Sequence, residues 1–216
     1  MKRHIAVAIT GASGAIYGVR LLEELLAAGN RVSLLISSAG FSVLEEECDL
    51  FWDGSLEEID NHLQKYFARA ISMGLDNTDF EPSLTYFADN DFFAPIASGS
   101  AAPDAMIVAP CSMGTLARIA AGISGNLLER AADVMLKEGK PLLLLPRETP
   151  FSAIHLENML KLARLGVRII PAMPGFYSQP QTIEDVVNFV VGKILDQLGI
   201  EGDLFRRWQD TGQPDK

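Results

Sequence analysis

The stretch His4-Ile5-Ala6-Val7-Ala8-Ile9-Thr10-Gly11-Ala12-Ser13-Gly14 decides the fold. Its apolar run, Ile5 to Ile9, lacks the polar alternation of a half-exposed strand and so predicts one covered on both faces. Beyond the glycine-rich turn, Ile16, Val19, Leu22, Leu25 and Leu26 recur at helical spacing until Gly29 stops them. A second apolar strand, Val32 to Ile36, follows at once, as a parallel crossover requires. The alternation returns with Ala105 to Ala109, a helix near Gly125 to Glu138, Leu142 to Leu145, a helix near Ser152 to Leu165, and Val167 to Ile170. Thr182-Ile183-Glu184-Asp185 offers a capping box to a last helix, whose apolar stripe is Val187, Val190, Val191, Ile194 and Leu198. The pattern predicts a three-layer, doubly wound, Rossmann-like α/β fold around a mostly parallel sheet, in a single domain over residues 1–200. An insertion at about 49–91 holds an amphipathic helix (Leu56, Ile59, Leu63, Phe67, Ala70) and a polar connection from Gly74 to Asn90, and is expected to form a flap. Residues 201–216 read as a polar, loosely ordered tail.

Composition narrows the function classes. With 216 residues, 48% of them hydrophobic, the chain buries a core without help from a disulfide or a metal. Its 18 Lys and Arg against 28 Asp and Glu leave a net charge of −10, which opposes general nucleic-acid binding. Cys48 and Cys111 form no CxxC pair, and His4, His62 and His155 are scattered, so no metal site is expected and a reducing cytoplasm fits best. The basic start Met1-Lys2-Arg3 resembles a signal peptide, but Thr10 to Gly14 interrupts the apolar region that follows. That uncharged stretch is also too short and too broken to span a membrane, so no membrane association is expected.

In such sheets ligands bind beyond the carboxyl ends of the strands. After the first strand, the small residues from Thr10 to Gly18 allow close backbone approach, and the helix start offers amides to an anion, so a phosphorylated ligand is expected to dock there. After the second strand stands Ser37-Ser38 rather than the acid that grips an NAD ribose. No Tyr is followed four residues later by Lys, so short-chain reductase chemistry is not supported either. Pro110-Cys111-Ser112-Met113-Gly114-Thr115 forms a second loop of small and hydroxyl residues, suited to a flat ring with a phosphate tail. Cys111 is readable as a nucleophile or as a buried small residue, and the lack of a nearby histidine favours the latter. Pro146-Arg147-Glu148 and the loop Pro171 to Tyr177 bring an ion pair and an aromatic hydroxyl toward the same edge. His155, on the helix beyond, reads as a helix or interface residue rather than a base.

Gly11-Ala12-Ser13-Gly14, Ala97-Ser98-Gly99-Ser100, Pro110 to Thr115, Glu129-Arg130-Ala131-Ala132-Asp133, Pro146-Arg147-Glu148 and Pro174-Gly175-Phe176-Tyr177 together resemble the UbiX-type flavin prenyltransferases, in order from about residue 4 to 200. The resemblance implies a flavoprotein-type fold and transfer of a dimethylallyl group from dimethylallyl phosphate to N5 and C6 of reduced FMN. The prenylated FMN would pass to a UbiD-type decarboxylase, with a link to ubiquinone biosynthesis. It further implies that Gly11, Ala12, Ser13, Ser37, Ser112, Met113, Gly114, Thr115 and Arg147 hold FMN. Tyr177, Lys193, Lys137 and Arg130 would meet the substrate phosphate. Ser13, Glu47 and Glu148 would orient or move protons, and Phe93 or Phe92 would wall the allylic cation.

The chain departs from the family pattern at Phe93, where members often carry Trp, and at Lys193, where they often carry Arg. A large homo-oligomer, a dodecamer for example, is implied, with sites at subunit junctions. Two other readings compete: an FMN-dependent decarboxylase of the related cysteine-decarboxylase fold, suggested by Cys111, and a non-catalytic nucleotide sensor.

Overall fold

The computed structural model describes residues 2–51, 56–74 and 83–208. Six strands, β1 (His4–Ile9), β2 (Arg31–Ile36), β3 (Ser83–Phe87), β4 (Ala105–Cys111), β5 (Leu142–Pro146) and β6 (Arg168–Ile169), form one sheet in the order β3-β2-β1-β4-β5-β6. Every pairing is parallel, with Ile5 beside Val32 on one side and Ala105 on the other. The strand order reverses between β1 and β4, which opens a crevice at their carboxyl ends.

Successive strand residues point to opposite faces, so each strand feeds two cores. Val7, Ile9, Leu34, Ile107 and Leu143 meet α1 (Ala15–Ala27), α3 (Leu56–Gly74) and α7 (Ile183–Leu198). Ala6, Ala8, Leu35, Met106, Val108 and Leu144 meet α4 (Met113–Ala120), α5 (Leu127–Lys137) and α6 (Ala153–Arg164). Thr182 and Ser152 cap α7 and α6 in capping boxes completed by Asp185 and His155.

Helix α1 lies close on the sheet because Gly18 has no side chain: a Cβ there would stand 2.4 Å from the Ala109 carbonyl oxygen and 2.9 Å from Ile9 Cγ1. Gly18→Ala is therefore expected to cost about 2–3 kcal/mol through overpacking against backbone that cannot yield. A urea-unfolding midpoint equal to the parent's would show instead that α1 is free to shift.

Three elements depart from the sequence expectation. Helix α2 (Ser38–Cys48) has no signature in the sequence because only Gly40 and Leu44 are buried on it, which leaves no apolar stripe. The helix expected near Gly125 to Glu138 is α5 alone, and a separate short α4 precedes it. The insertion does not form a flap over its described length, because Ile59, Leu63 and Phe67 of α3 enter the core and β3 pairs with β2. The Ala70 side chain and residues 75–82 of the polar connection lie outside the described residues.

The tail is not loose through Trp208: Phe205 packs on Phe189 with ring centroids 4.9 Å apart, and Trp208 meets the Tyr177 ring at 5.3 Å. These two aromatics give an otherwise polar segment enough apolar surface to dock.

Candidate active site

The loops beyond β1, β2, β4 and β5 are tied into one rim by contacts between residues far apart in sequence. Thr10, buried at the end of β1, donates its hydroxyl to the Pro110 carbonyl at 2.8 Å and accepts from the Ser112 amide at 2.8 Å. The loop after β1 therefore cannot move without the loop after β4. Gly11 lets the β1 loop lie against the start of α2, since a Cβ there would fall 2.4 Å from Ala39 Cβ. Arg147, beyond β5, donates from Nε to the Ser13 carbonyl at 3.0 Å. The loop after β6 joins beside it through the Ala172 amide and the Pro146 carbonyl at 3.3 Å.

Glu47, near the end of α2, returns to this rim. Its Oε2 accepts the amides of Gly14 at 2.7 Å and Ala15 at 3.0 Å, at the N-terminus of α1. Burial pushes its carboxyl up. Hydrogen bonds from the Ser13 hydroxyl and those two amides, with Arg147 nearby, outweigh that effect and hold it below the ordinary carboxylate value. The anion site expected at the start of α1 is thus filled in part by the protein's own carboxylate. Open donors lie elsewhere. The amides of Ser38 and Ala39 opening α2, and of Met113 and Gly114 opening α4, have no protein partner among the described residues. Ser37 caps α2 by accepting from Gly40 at 3.1 Å. Ser112 caps α4, accepting from the Thr115 amide at 3.2 Å and donating to the Thr115 hydroxyl at 3.0 Å.

Gly11, Ala12, Ser13, Ser37, Ser112, Met113, Gly114, Thr115 and Arg147 are therefore gathered along one edge. Small residues, hydroxyls, open amides and one guanidinium make a donor set that fits a flavin and its phosphate. Glu148 follows Arg147 directly, half-buried, and its Oε1 accepts the Thr149 amide at 3.0 Å.

Tyr177 stacks edgewise on Phe189 at 5.6 Å, and the Lys193 ammonium lies 5.7 Å from the centre of the same ring, so Phe189 is a common neighbour of the two groups. Helix α5 descends from Leu127, whose amide bonds to Asp89 O beyond β3, toward Pro141, which opens β5. Lys137 consequently lies toward the amino end of the sheet, beside Gly99 and paired with Glu138. Arg130, two turns earlier, bonds the Ala97 carbonyl at 3.1 Å and Asp133 at 3.0 Å. Phe93 is 100% exposed and walls nothing within its own chain. Cys111 is fully buried, and burial pushes its thiol up to about 12, which leaves no thiolate for nucleophilic work. His155 completes a helix cap.

Sequence reasoning missed two organising groups. Thr10 carried no signal beyond its place at a strand end. Glu129, 2% exposed within Glu129 to Asp133, pairs with Arg118 of α4 and accepts the Gly125 amide at 2.8 Å, which fixes the turn between α4 and α5. Among the described residues no three His, Cys, Asp or Glu side chains gather to hold a metal, and no helix is long and apolar enough to cross a membrane.

Comparison with known proteins places this geometry. Residues 1–195 match the family model described as Flavoprotein. The flavin prenyltransferase UbiX of Halalkalibacterium halodurans is 52% identical over 202 residues, covering 94% of this chain and 91% of that protein. The crystal structure of AnUbiX (PadA1) in complex with FMN and dimethylallyl pyrophosphate superposes with a TM-score of 0.79 at 37% identity, over 97% of this chain and 98% of that one. A dodecameric FMN-dependent UbiX-like decarboxylase from Escherichia coli O157:H7 superposes with a TM-score of 0.77 at 41% identity, over 95% and 99% of the two chains.

Proposed function

The chain belongs to the UbiX flavin prenyltransferases, and on that premise we infer how its residues move a dimethylallyl group from dimethylallyl phosphate to N5 and C6 of reduced FMN. The observation that carries the assignment is the joining of Ser13, Glu47 and Arg147 in one hydrogen-bonded chain, drawn from the loop after β1, helix α2 and the loop after β5.

Reduced FMN supplies the two nucleophilic positions of the transfer. Arg147 and the loops at Gly11 to Ser13, Ser37, and Ser112 to Thr115 orient it, the open amides of α2 and α4 receiving negative charge. The C–O bond of the allylic phosphate breaks more readily when charge growing on its oxygens is met by cations and donors. Tyr177, Lys193, Arg130 and Lys137 fill that role, and Glu148 hands a proton to the departing phosphate. Ionised Glu148 or Glu47 accepts the protons lost from flavin N5 and C6, one replacing the proton given to phosphate and the other balancing the proton that the prenyl double bond takes up as its second bond closes, and Ser13 relays or orients near N5. Cysteine-based decarboxylation has no support, since burial pushes the thiols of Cys111 and Cys48 up, to about 12 and about 11.

Lys137 and Phe93 do not face the rim of their own chain, so each serves the site of a neighbouring subunit. Assembly is supported by exposed apolar groups: Phe93, and Ile154, Leu156 and Leu160 along α6. A dodecamer like that of the E. coli relative accommodates this sharing. The product passes to a UbiD-type decarboxylase, in a reducing, cytoplasmic setting compatible with the free thiols of Cys48 and Cys111.

Anaerobic mixing of the protein with reduced FMN and dimethylallyl phosphate, in the presence of EDTA, is expected to release inorganic phosphate in step with flavin consumed. Absence of phosphate above a protein-free control would contradict the assignment.

A further inference from the structure

We propose that Arg207 positions Lys193 for phosphate binding by occupying Asp196, the carboxylate that would otherwise capture the lysine. The proposal rests on the reading above, in which Lys193 meets the allylic phosphate, and it assigns a task to the C-terminal segment.

Asp196 lies one turn beyond Lys193 on α7, a spacing at which helical side chains meet. The two nevertheless stand at the outer limit of contact, with Lys193 Nζ 3.9 Å from Asp196 Oδ2. The reason is visible in the tail. Arg207 takes both oxygens of Asp196, NH2 donating to Oδ1 at 2.8 Å and NH1 to Oδ2 at 3.2 Å. A two-pronged guanidinium satisfies a carboxylate better than a single ammonium does.

Lys193 Nζ lies instead over aromatic faces, 4.9 Å from the Phe205 centroid and 5.7 Å from that of Phe189. It also borders a cavity of about 510 Å3 whose walls include Arg168, Ile170, Met173 and Phe189, so an anion has a route to it. With Arg207 in place, the trio of Lys193, Asp196 and Arg207 carries one net positive charge. Without Arg207 the remaining pair is neutral, and its pull on a phosphate falls accordingly.

The segment that carries Arg207 is built to lie there. Gly192 leaves room for it, since a Cβ at that position would fall 2.6 Å from the Phe205 ring. Arg207 itself covers Phe205, with Cζ 5.4 Å from the ring centre. Trp208, next in sequence, meets the edge of Tyr177, so one short strap touches two of the four side chains assigned to the phosphate.

The test is steady-state kinetics in dimethylallyl phosphate at saturating reduced FMN, for the wild type, R207Q, D196N and the double variant. R207Q is expected to raise KM about twofold to fivefold, within the range an exposed ion pair commands, while kcat stays within about twofold. D196N in the R207Q background is expected to return KM to near the wild-type value, because no carboxylate remains to capture Lys193. If Arg207 only anchors the tail, removing its partner as well gives no rescue, and KM of the double variant stays as high as that of R207Q. Absence of rescue, or a wild-type KM in R207Q, overturns the proposal while leaving the function intact. A wild type that forms no prenylated flavin overturns the functional reading and this proposal with it.

Discussion

Glu148→Gln is expected to lower turnover about 10²- to 10³-fold while FMN binding is retained, the size of effect that loss of a general acid commonly has. The substitution keeps the side chain's shape and an oxygen able to accept the Thr149 amide, which Glu148 Oε1 does at 3.0 Å. What it removes is the proton. The departing phosphate must then leave as a more highly charged anion, helped only by cations and hydrogen-bond donors. Single-turnover phosphate release by the FMN-loaded variant measures this directly. Turnover equal to the wild type would make Glu148 the partner of a loop amide and nothing more.

Glu47→Ala is expected to reduce turnover by about 10²-fold, within the range for groups that place a proton-transfer site, and to weaken FMN binding as well. Three donors lose their acceptor: the Ser13 hydroxyl and the amides of Gly14 and Ala15. Those groups lie on the loop that Arg147 also clasps, so the β1 rim loosens where N5 of the flavin would rest. The same tie has a pH signature. The Glu47 carboxyl is held below its ordinary value of 4.5 in the folded protein, so its contribution is complete above pH 4.5 and is lost as pH falls through the lowered value. Acid-induced flavin release should therefore be postponed in the wild type relative to Glu47→Gln. Wild-type kinetics and an unchanged acid profile in the variants would reduce Glu47 to one of three solvated acids, Glu45 to Glu47.

The parts of this molecule that declare themselves in sequence are those whose burial is one-dimensional. Strands β1, β2, β4 and β5 sit between two helical layers, so apolar residues run along them with little interruption beyond Ser33 of β2, and α7 carries both its stripe and its cap within a few residues. Helix α2 escapes notice because partial burial leaves no clean period, and edge strand β3 because its alternation of exposed and buried residues runs over only five positions.

The same logic divides the site. Loops that follow strands are legible, and Ser13, Ser112 and Arg147 were found that way. Glu47 reads as a surface acid until the fold brings it to amides 33 and 32 residues away. The bond from Thr10 to Ser112 spans 102 residues and is equally silent. Motif order along the chain also conveys nothing of direction: α5 runs away from the rim and carries Lys137 with it.

The mass of the flavin recovered after anaerobic incubation with reduced FMN and dimethylallyl phosphate tests the central claim most directly. The arrangement of Ser13, Glu47, Arg147 and Glu148 around one rim predicts a flavin heavier by a single dimethylallyl unit, formed by the wild type and nearly absent with Glu148→Gln. Recovery of unmodified FMN alone from the wild type would contradict it.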